Sequence, residues 1–228
     1  MRFPPFAVIC LSVVFSFGQE ARWEWTPAAE HHNAVVAVES NGNGTGVIVG
    51  LLPDKLPEGR LGHCLTACHL TVDVETGAAF DGNYVIRYRN GRSGRFGSVV
   101  SRDAENDIAV LKVWVPDGVE PARVSDSVKA GDVVEFVGLG GSEKDASVQK
   151  SLRHFRGVAS GPTDAVRIYA DLCLLPGDSG GPVFNQNNEI VGIISGGWFW
   201  FKANEKTTTW PARAANGKAI RKLLEGIK

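Results

Sequence analysis

Short apolar runs, rich in β-branched and aromatic residues, recur along the chain and are separated by polar turn signals. In the first half they fall at 34–38 (AVVAV), 45–50 (TGVIVG), 62–67, 84–88 (YVIRY), 95–101 and 108–114 (IAVLKVW). In the second half they fall at 132–138 (DVVEFVG), 152–160, 165–172 (AVRIYADL), 181–185, 190–197 (IVGIISGG) and 206–210. Runs of this length bounded by Gly, Asn and Asp predict strands. Asn41-Gly-Asn-Gly44, Asp81-Gly82, Asn90-Gly91 and Gly140-Gly141 supply the reversals between them. A polar, Pro-containing stretch from Pro116 to Ala130 divides the runs into six and six. The period changes to that of a helix only near the end, where Ile220, Leu223, Leu224 and Ile227 share a face and Asn216 stands where a cap belongs. The pattern predicts an all-β protein: two six-stranded antiparallel β-barrels, over 19–118 and 119–228, with a C-terminal α-helix.

The first eighteen residues fit neither barrel. Met1-Arg2 is followed by an apolar run from Phe6 to Phe17, and small Ser16 and Gly18 precede Gln19. That run is shorter than the roughly 20 residues needed to span a bilayer, and its layout is that of a secretory signal. The chain from Gln19 onward is therefore expected to be exported, to the periplasm or beyond, with no membrane attachment after cleavage.

Composition narrows the function further. The 228 residues carry 24 basic and 25 acidic side chains, a net charge of −1, which leaves no electrostatic footprint for nucleic acid. A hydrophobic content of 43% excludes disorder, and 27 Gly, 11 Pro and a single Met suit a turn-rich β protein. Three cysteines remain beyond the leader: Cys64, Cys68 and Cys173. Their number is odd, and Cys64 and Cys68 stand about 13 Å apart along an extended strand, so disulfides do not define this framework.

Three segments carry chemistry. Pro176-Gly-Asp-Ser-Gly-Gly-Pro182 flanks a serine with glycines that let the backbone bend sharply and approach a substrate closely. Leu65-Thr-Ala-Cys-His69 ends an apolar strand on a histidine, and Glu105-Asn-Asp-Ile-Ala-Val-Leu-Lys112 opens one with an aspartate. Alone, each has an ordinary explanation: a glycine-rich hairpin, a structural histidine, a turn aspartate. Together they supply a hydroxyl, an imidazole to take its proton and a carboxylate to fix that imidazole's tautomer. The order His, Asp, Ser is one of the known chain orders for such a triad.

These blocks resemble the trypsin/chymotrypsin-like serine peptidase family, with TACH where TAAH is usual, NDIAVLKV for the aspartate strand and GDSGGP around the serine. The resemblance covers residues 30 to 225. It leans toward the bacterial HtrA/DegP-like branch through Asn43-Gly-Thr-Gly-Val-Ile-Val49, the spacing of Asp171 and Pro176 to Ser179, and Trp210-Pro-Ala-Arg213 before the final helix. It implies chymotrypsin-like barrels with the active site in the cleft between them. It implies Ser179 as nucleophile, His69 as general base and Asp107 as orienting carboxylate, with the amides of Gly177 and Ser179 as oxyanion hole. Ser195, Gly196 and Gly197 would pair with the substrate backbone as an added strand. Cys173 falls at the floor of the primary specificity pocket, where a small uncharged side chain implies small or medium apolar P1 residues rather than Arg or Lys.

The chain departs from the family in having no IVGG-like segment to supply a freed amine to Asp178, and it carries no PDZ-like stretch. The partner expected is a protein or peptide substrate. No metal or organic cofactor is expected: Cys64-x-x-x-Cys68-His69 is one residue longer than a c-type haem motif, and His63, Cys64, Cys68 and His69 lack the spaced pairs of a zinc site. Trp198-Phe-Trp-Phe201 is expected to tuck beneath the terminal helix. A catalytically silent fold kept as a binding scaffold is the alternative function.

Overall fold

The structure, a computed structural model, describes residues 30–227 apart from 41–42, 74–75, 81–83, 95–96, 141–151, 161–166, 171–173, 175 and 197–211. The expected leader, Cys173, Gly197, the Trp198–Phe201 cluster and the run expected as a strand at 206–210 lie outside the described residues.

The first half opens with a 3₁₀ turn, η1 (Glu30–Ala34), and continues through β1 (Val35–Glu39), β2 (Asn43–Leu56) and β3 (Gly59–Ala67). A second 3₁₀ turn, η2 (Cys68–Thr71), leads to β4 (Val85–Arg87), β5 (Ser93–Gly94), β6 (Gly97–Asp103) and β7 (Ile108–Pro116). These strands form one antiparallel sheet in the order β5-β4-β1-β2-β3-β7-β6. Its two outer members, β5 and β6, are separated by only two residues of chain, so the sheet curls until its edges are consecutive segments. The single run expected at 95–101 covers only β6, and the two-residue β5 has no run of its own in the sequence pattern, which is why seven strands stand where six were predicted.

The second half holds β8 (Val133–Gly138), β9 (Arg153–Ser160), β10 (Arg167–Ala170), β11 (Pro182–Phe184), β12 (Ile190–Gly196) and β13 (Ala212–Asn216). They close into a barrel in the order β10-β13-β12-β11-β8-β9. The helix α1 (Gly217–Glu225) follows directly, and Asn216 caps it by accepting the Ala219 N–H at 3.1 Å, as its sequence position implies.

Period-2 alternation, interrupted in β12 by the register shift opposite Val183 and Phe184, decides which core each side chain enters. Val134 and Phe136 of β8, Val183 of β11 and Val191 and Ile194 of β12 fill the second barrel. Their neighbours Val137, Phe184, Ile190 and Ile193 face the other way and join Val35, Val47, Leu65, Leu111 and the helix residues Ala219, Ile220 and Leu223 in one larger core. The helix thus seals a core shared by both sheets. The polar stretch between the sheets is stitched to each of them: Ala122 N donates to Ile48 O at 2.9 Å, and Ser125 N donates to Ile190 O at 2.8 Å.

Candidate active site

Strand register brings the histidine and aspartate together. Ala67, the last residue of β3, pairs with Ile108, the first of β7. His69 lies two residues past the one and Asp107 one residue before the other, so both side chains emerge at the same end of the sheet. Asp107 closes the β6–β7 turn with φ of +56°, a left-handed conformation that aspartate tolerates better than most residues. Asp103 holds that turn by accepting Asn106 N at 3.0 Å and Asn106 Nδ2 at 2.7 Å.

Asp107 then grips η2 at three points. Its carbonyl accepts Cys68 N at 3.1 Å, its Oδ1 accepts His69 N at 2.9 Å, and its Oδ2 accepts His69 Nδ1 at 2.8 Å. An ionised carboxylate only accepts, so the ring proton sits on Nδ1 and Nε2 is left as the basic nitrogen. Burial raises the Asp107 pKa, but hydrogen bonds from His69 and Ser195 outweigh it and hold the carboxyl below its ordinary range. Thr71 Oγ1 donates to Cys68 O at 2.7 Å, and Arg102 donates to both the hydroxyl and the carbonyl of Thr71, which fixes η2 from beneath.

The serine turn comes from the second barrel and docks on the first. Thr45 N of β2 donates to Ser179 O at 2.8 Å, and Gly180 N donates to Ile194 O at 2.8 Å. Gly180 has φ of +84°, and a Cβ there would stand 2.1 Å from Thr45 O, 2.4 Å from Thr66 Oγ1 and 2.8 Å from Ala67 N. Only glycine allows this contact, and the contact sets Ser179 beside the end of β3 that leads into His69. None of the described hydrogen bonds runs from the Ser179 hydroxyl to the His69 ring.

Gly177 takes φ of +98° and packs against Gly140. Its carbonyl accepts the Thr45 hydroxyl at 2.7 Å, and Thr45 Oγ1 in turn accepts Leu139 N at 3.1 Å. Among the described residues the amides of Gly177 and Ser179 donate to no protein acceptor, whereas Gly180 and Gly181 both do. Asp178, open in role from the sequence, is buried and accepts Gly140 N at 2.6 Å through Oδ1.

Of the residues expected to bind substrate, Ser195 and Gly196 end β12, and the β12–β13 register shifts between Ile194 and Gly196. Ser195 Oγ donates to Asp107 Oδ2 at 2.7 Å, a side-chain role the sequence reading did not give it. Among the described residues, a Cβ on Gly196 would meet nothing within 4 Å. Thr45 also went unread. It lies in the Gly44-Thr-Gly46 motif, but nothing in that pattern says its hydroxyl ties the serine turn to the residue after β8. His63 and Cys64, neighbours on a strand, face opposite ways, with Cys64 in the core.

A probable periplasmic serine endoprotease DegP-like from Pseudomonas putida is 32% identical over 139 residues, covering 59% of this chain. Those residues amount to 26% of that protein, so the chain spans about a quarter of its length. The crystal structure of the serine endoprotease from Yersinia pestis superposes with a TM-score of 0.62 at 22% identity, covering 89% of this chain and 67% of that one. The HtrA-type protease AlgW with tripeptide gives 0.63 at 20% identity, covering 87% and 62%. At such identities the structures speak for the fold, which is the one described above. The trypsin-like peptidase domain family matches residues 44–193, a span holding β2, the histidine turn, the aspartate strand and the serine turn, and the chain accordingly belongs to the trypsin-like serine peptidases, with its likeness on the HtrA side.

Proposed function

We propose that the protein is an exported serine endopeptidase working through Ser179, His69 and Asp107. The observation that supports this reading best is the double grip of Asp107 on His69, because it leaves Nε2 as the basic nitrogen of a half-exposed ring beside the serine turn. In the reaction, Ser179 Oγ attacks the substrate carbonyl carbon while His69 Nε2 takes the hydroxyl proton. The carbonyl oxygen gains the negative charge and receives hydrogen bonds from the Gly177 and Ser179 amides. The C–N bond breaks as Nε2 returns the proton to the departing amine, and a water molecule repeats the attack on the ester, freeing Ser179.

The substrate backbone lies along Ser195–Gly197 as an extra strand. On the family resemblance, Cys173, outside the described residues, would stand at the floor of the primary pocket and favour small or medium apolar P1 residues. A peptide-library profile dominated by cleavage after Arg or Lys would overturn that preference.

The central test is labelling of the chain from Gln19 by a serine-reactive fluorophosphonate. Labelling is expected in the wild type and lost in Ser179→Ala, with peptide turnover falling by on the order of 10⁶. A folded wild type that neither labels nor cleaves casein-derived peptides would instead make the fold a silent scaffold.

A further inference from the structure

Away from the serine turn, three side chains far apart in the sequence converge on one point. His32 Nε2 lies 2.6 Å from Glu135 Oε1, and His154 Nε2 lies 2.7 Å from the same oxygen. The three atoms all fall within 4.8 Å of one another. We propose that His32, Glu135 and His154 form a binding site for a divalent transition metal of the Zn²⁺ class, joining the lead-in of the first sheet to the second barrel.

The chemistry of the donor set selects that class. Two imidazole nitrogens and one carboxylate oxygen suit Zn²⁺ and its neighbours, whereas Ca²⁺ and Mg²⁺ prefer oxygen alone. Around tetrahedral Zn²⁺, with bonds of about 2.0–2.2 Å, ligand atoms stand roughly 3.3 Å apart. Spreading the present contacts to that separation asks each side chain to move by well under about 1 Å, within the reach of a rotamer adjustment. Each imidazole would bind as the neutral ring through Nε2, with its proton on Nδ1.

The scaffold is rigid enough for a site. Val137 and His154 pair directly across β8 and β9, as do Glu135 and Arg156, so Glu135 and His154 share one face as diagonal neighbours. That face carries Val137 into the larger core rather than the barrel interior. The His32 side chain is 2% exposed and its ring sits 6.3 Å from that of Phe184. Glu135 and His154 retain 14% and 15% exposure, so the cluster is not sealed from solvent. The sequence offers no spaced pair of the usual kind, because the ligands come from η1, β8 and β9.

The test uses the full chain, stripped with EDTA, desalted, and titrated with Zn²⁺ by calorimetry and with Co²⁺ by visible absorption. One equivalent is expected, with the d–d bands of a low-coordinate Co²⁺ and a raised melting temperature. Glu135→Gln and His154→Gln, each confirmed folded by circular dichroism, are expected to weaken Zn²⁺ binding by on the order of 100-fold, and His63→Gln to leave it unchanged. Should the variants misfold, imidazole ¹⁵N resonances of the wild type decide: those of His32 and His154 must shift with Zn²⁺. Absence of a saturable equivalent, binding unaltered in both variants, or unmoved His32 and His154 resonances would overturn the site. No readout involves hydrolysis, so this result and that of the fluorophosphonate test stand apart.

Discussion

Ser195 donates to the same Asp107 oxygen, at 2.7 Å, that accepts from His69 Nδ1 at 2.8 Å. The aspartate of the first sheet is thus held by a hydroxyl from the second barrel, and the two halves are coupled through one carboxylate. Ser195→Ala keeps the backbone at the end of β12 and removes only that donor. A kcat loss of about tenfold with little change in KM is expected, the scale of one hydrogen bond to a charged group. A rise in KM with unchanged kcat would mean that Ser195 acts on substrate binding alone.

Asp107→Asn tests the carboxylate itself. An amide can still accept from one partner, but its NH₂ faces either His69 Nδ1 or the backbone, so the ring's tautomer is no longer fixed. A fall in kcat of roughly 10⁴ at unchanged KM is expected. The same variant reads out acid stability. The folded Asp107 pKa lies below the unfolded one, so its stabilisation is fully present above about pH 4 and disappears as pH falls through the folded value. The denaturant midpoint of the wild type should therefore drop more steeply than that of Asp107→Asn as pH falls below about 4. Parallel slopes would remove Asp107 from the acid-sensitive groups.

Thr45 bridges two loops that the chain brings together from 94 and 132 residues away. Thr45→Val keeps the shape but leaves Leu139 N and Gly177 O without their hydroxyl partner. Loss of about 1–3 kcal/mol is expected in urea unfolding, with a parallel fall in kcat as the Gly177 amide loses its anchor. Thr45→Ser should restore most of both. A valine variant as stable and as active as the wild type would assign the bridge no role.

What the sequence disclosed and what it hid divide along physical lines. Strands were legible where apolar runs met turn residues, because the period-2 pattern survives in one dimension; Ile108–Pro116 and Ile190–Gly196 stand within two residues of their expected bounds. Register was not legible, and β5 with β6 required two edges of a curled sheet that only pairing defines. At the site, His69, Asp107 and Ser179 sit in motifs whose local chemistry is distinctive. Thr45, the Ser195 hydroxyl and the His32–Glu135–His154 cluster depend on contacts across the fold and leave no spacing to read.

Cys64 lies in the strand that leads to the histidine turn and Cys68 opens that turn, and both are free thiols. Cys64 is fully buried between β2 and β7, and burial pushes its pKa up to about 12, offset only in part by a hydrogen bond from the Val47 backbone. Burial likewise raises Cys68, where the Thr71 hydroxyl works the other way and the nearby Asp107 charge adds to the rise. The thiolate is the reactive species, so at pH 8 the native Cys64 holds far less of it than an ordinary thiol. Iodoacetamide followed by peptide-resolved mass spectrometry should leave Cys64 unmodified in the native protein and Cys68 slow, while both react promptly in concentrated guanidinium chloride. Because alkylation of a closed core samples the opened state, the native Cys64 rate should also rise in step with the unfolded population as denaturant is added. Prompt native labelling of Cys64 would mean that the β2–β3–β7 packing opens far more readily than its burial implies, and the support beneath His69 would have to be sought elsewhere.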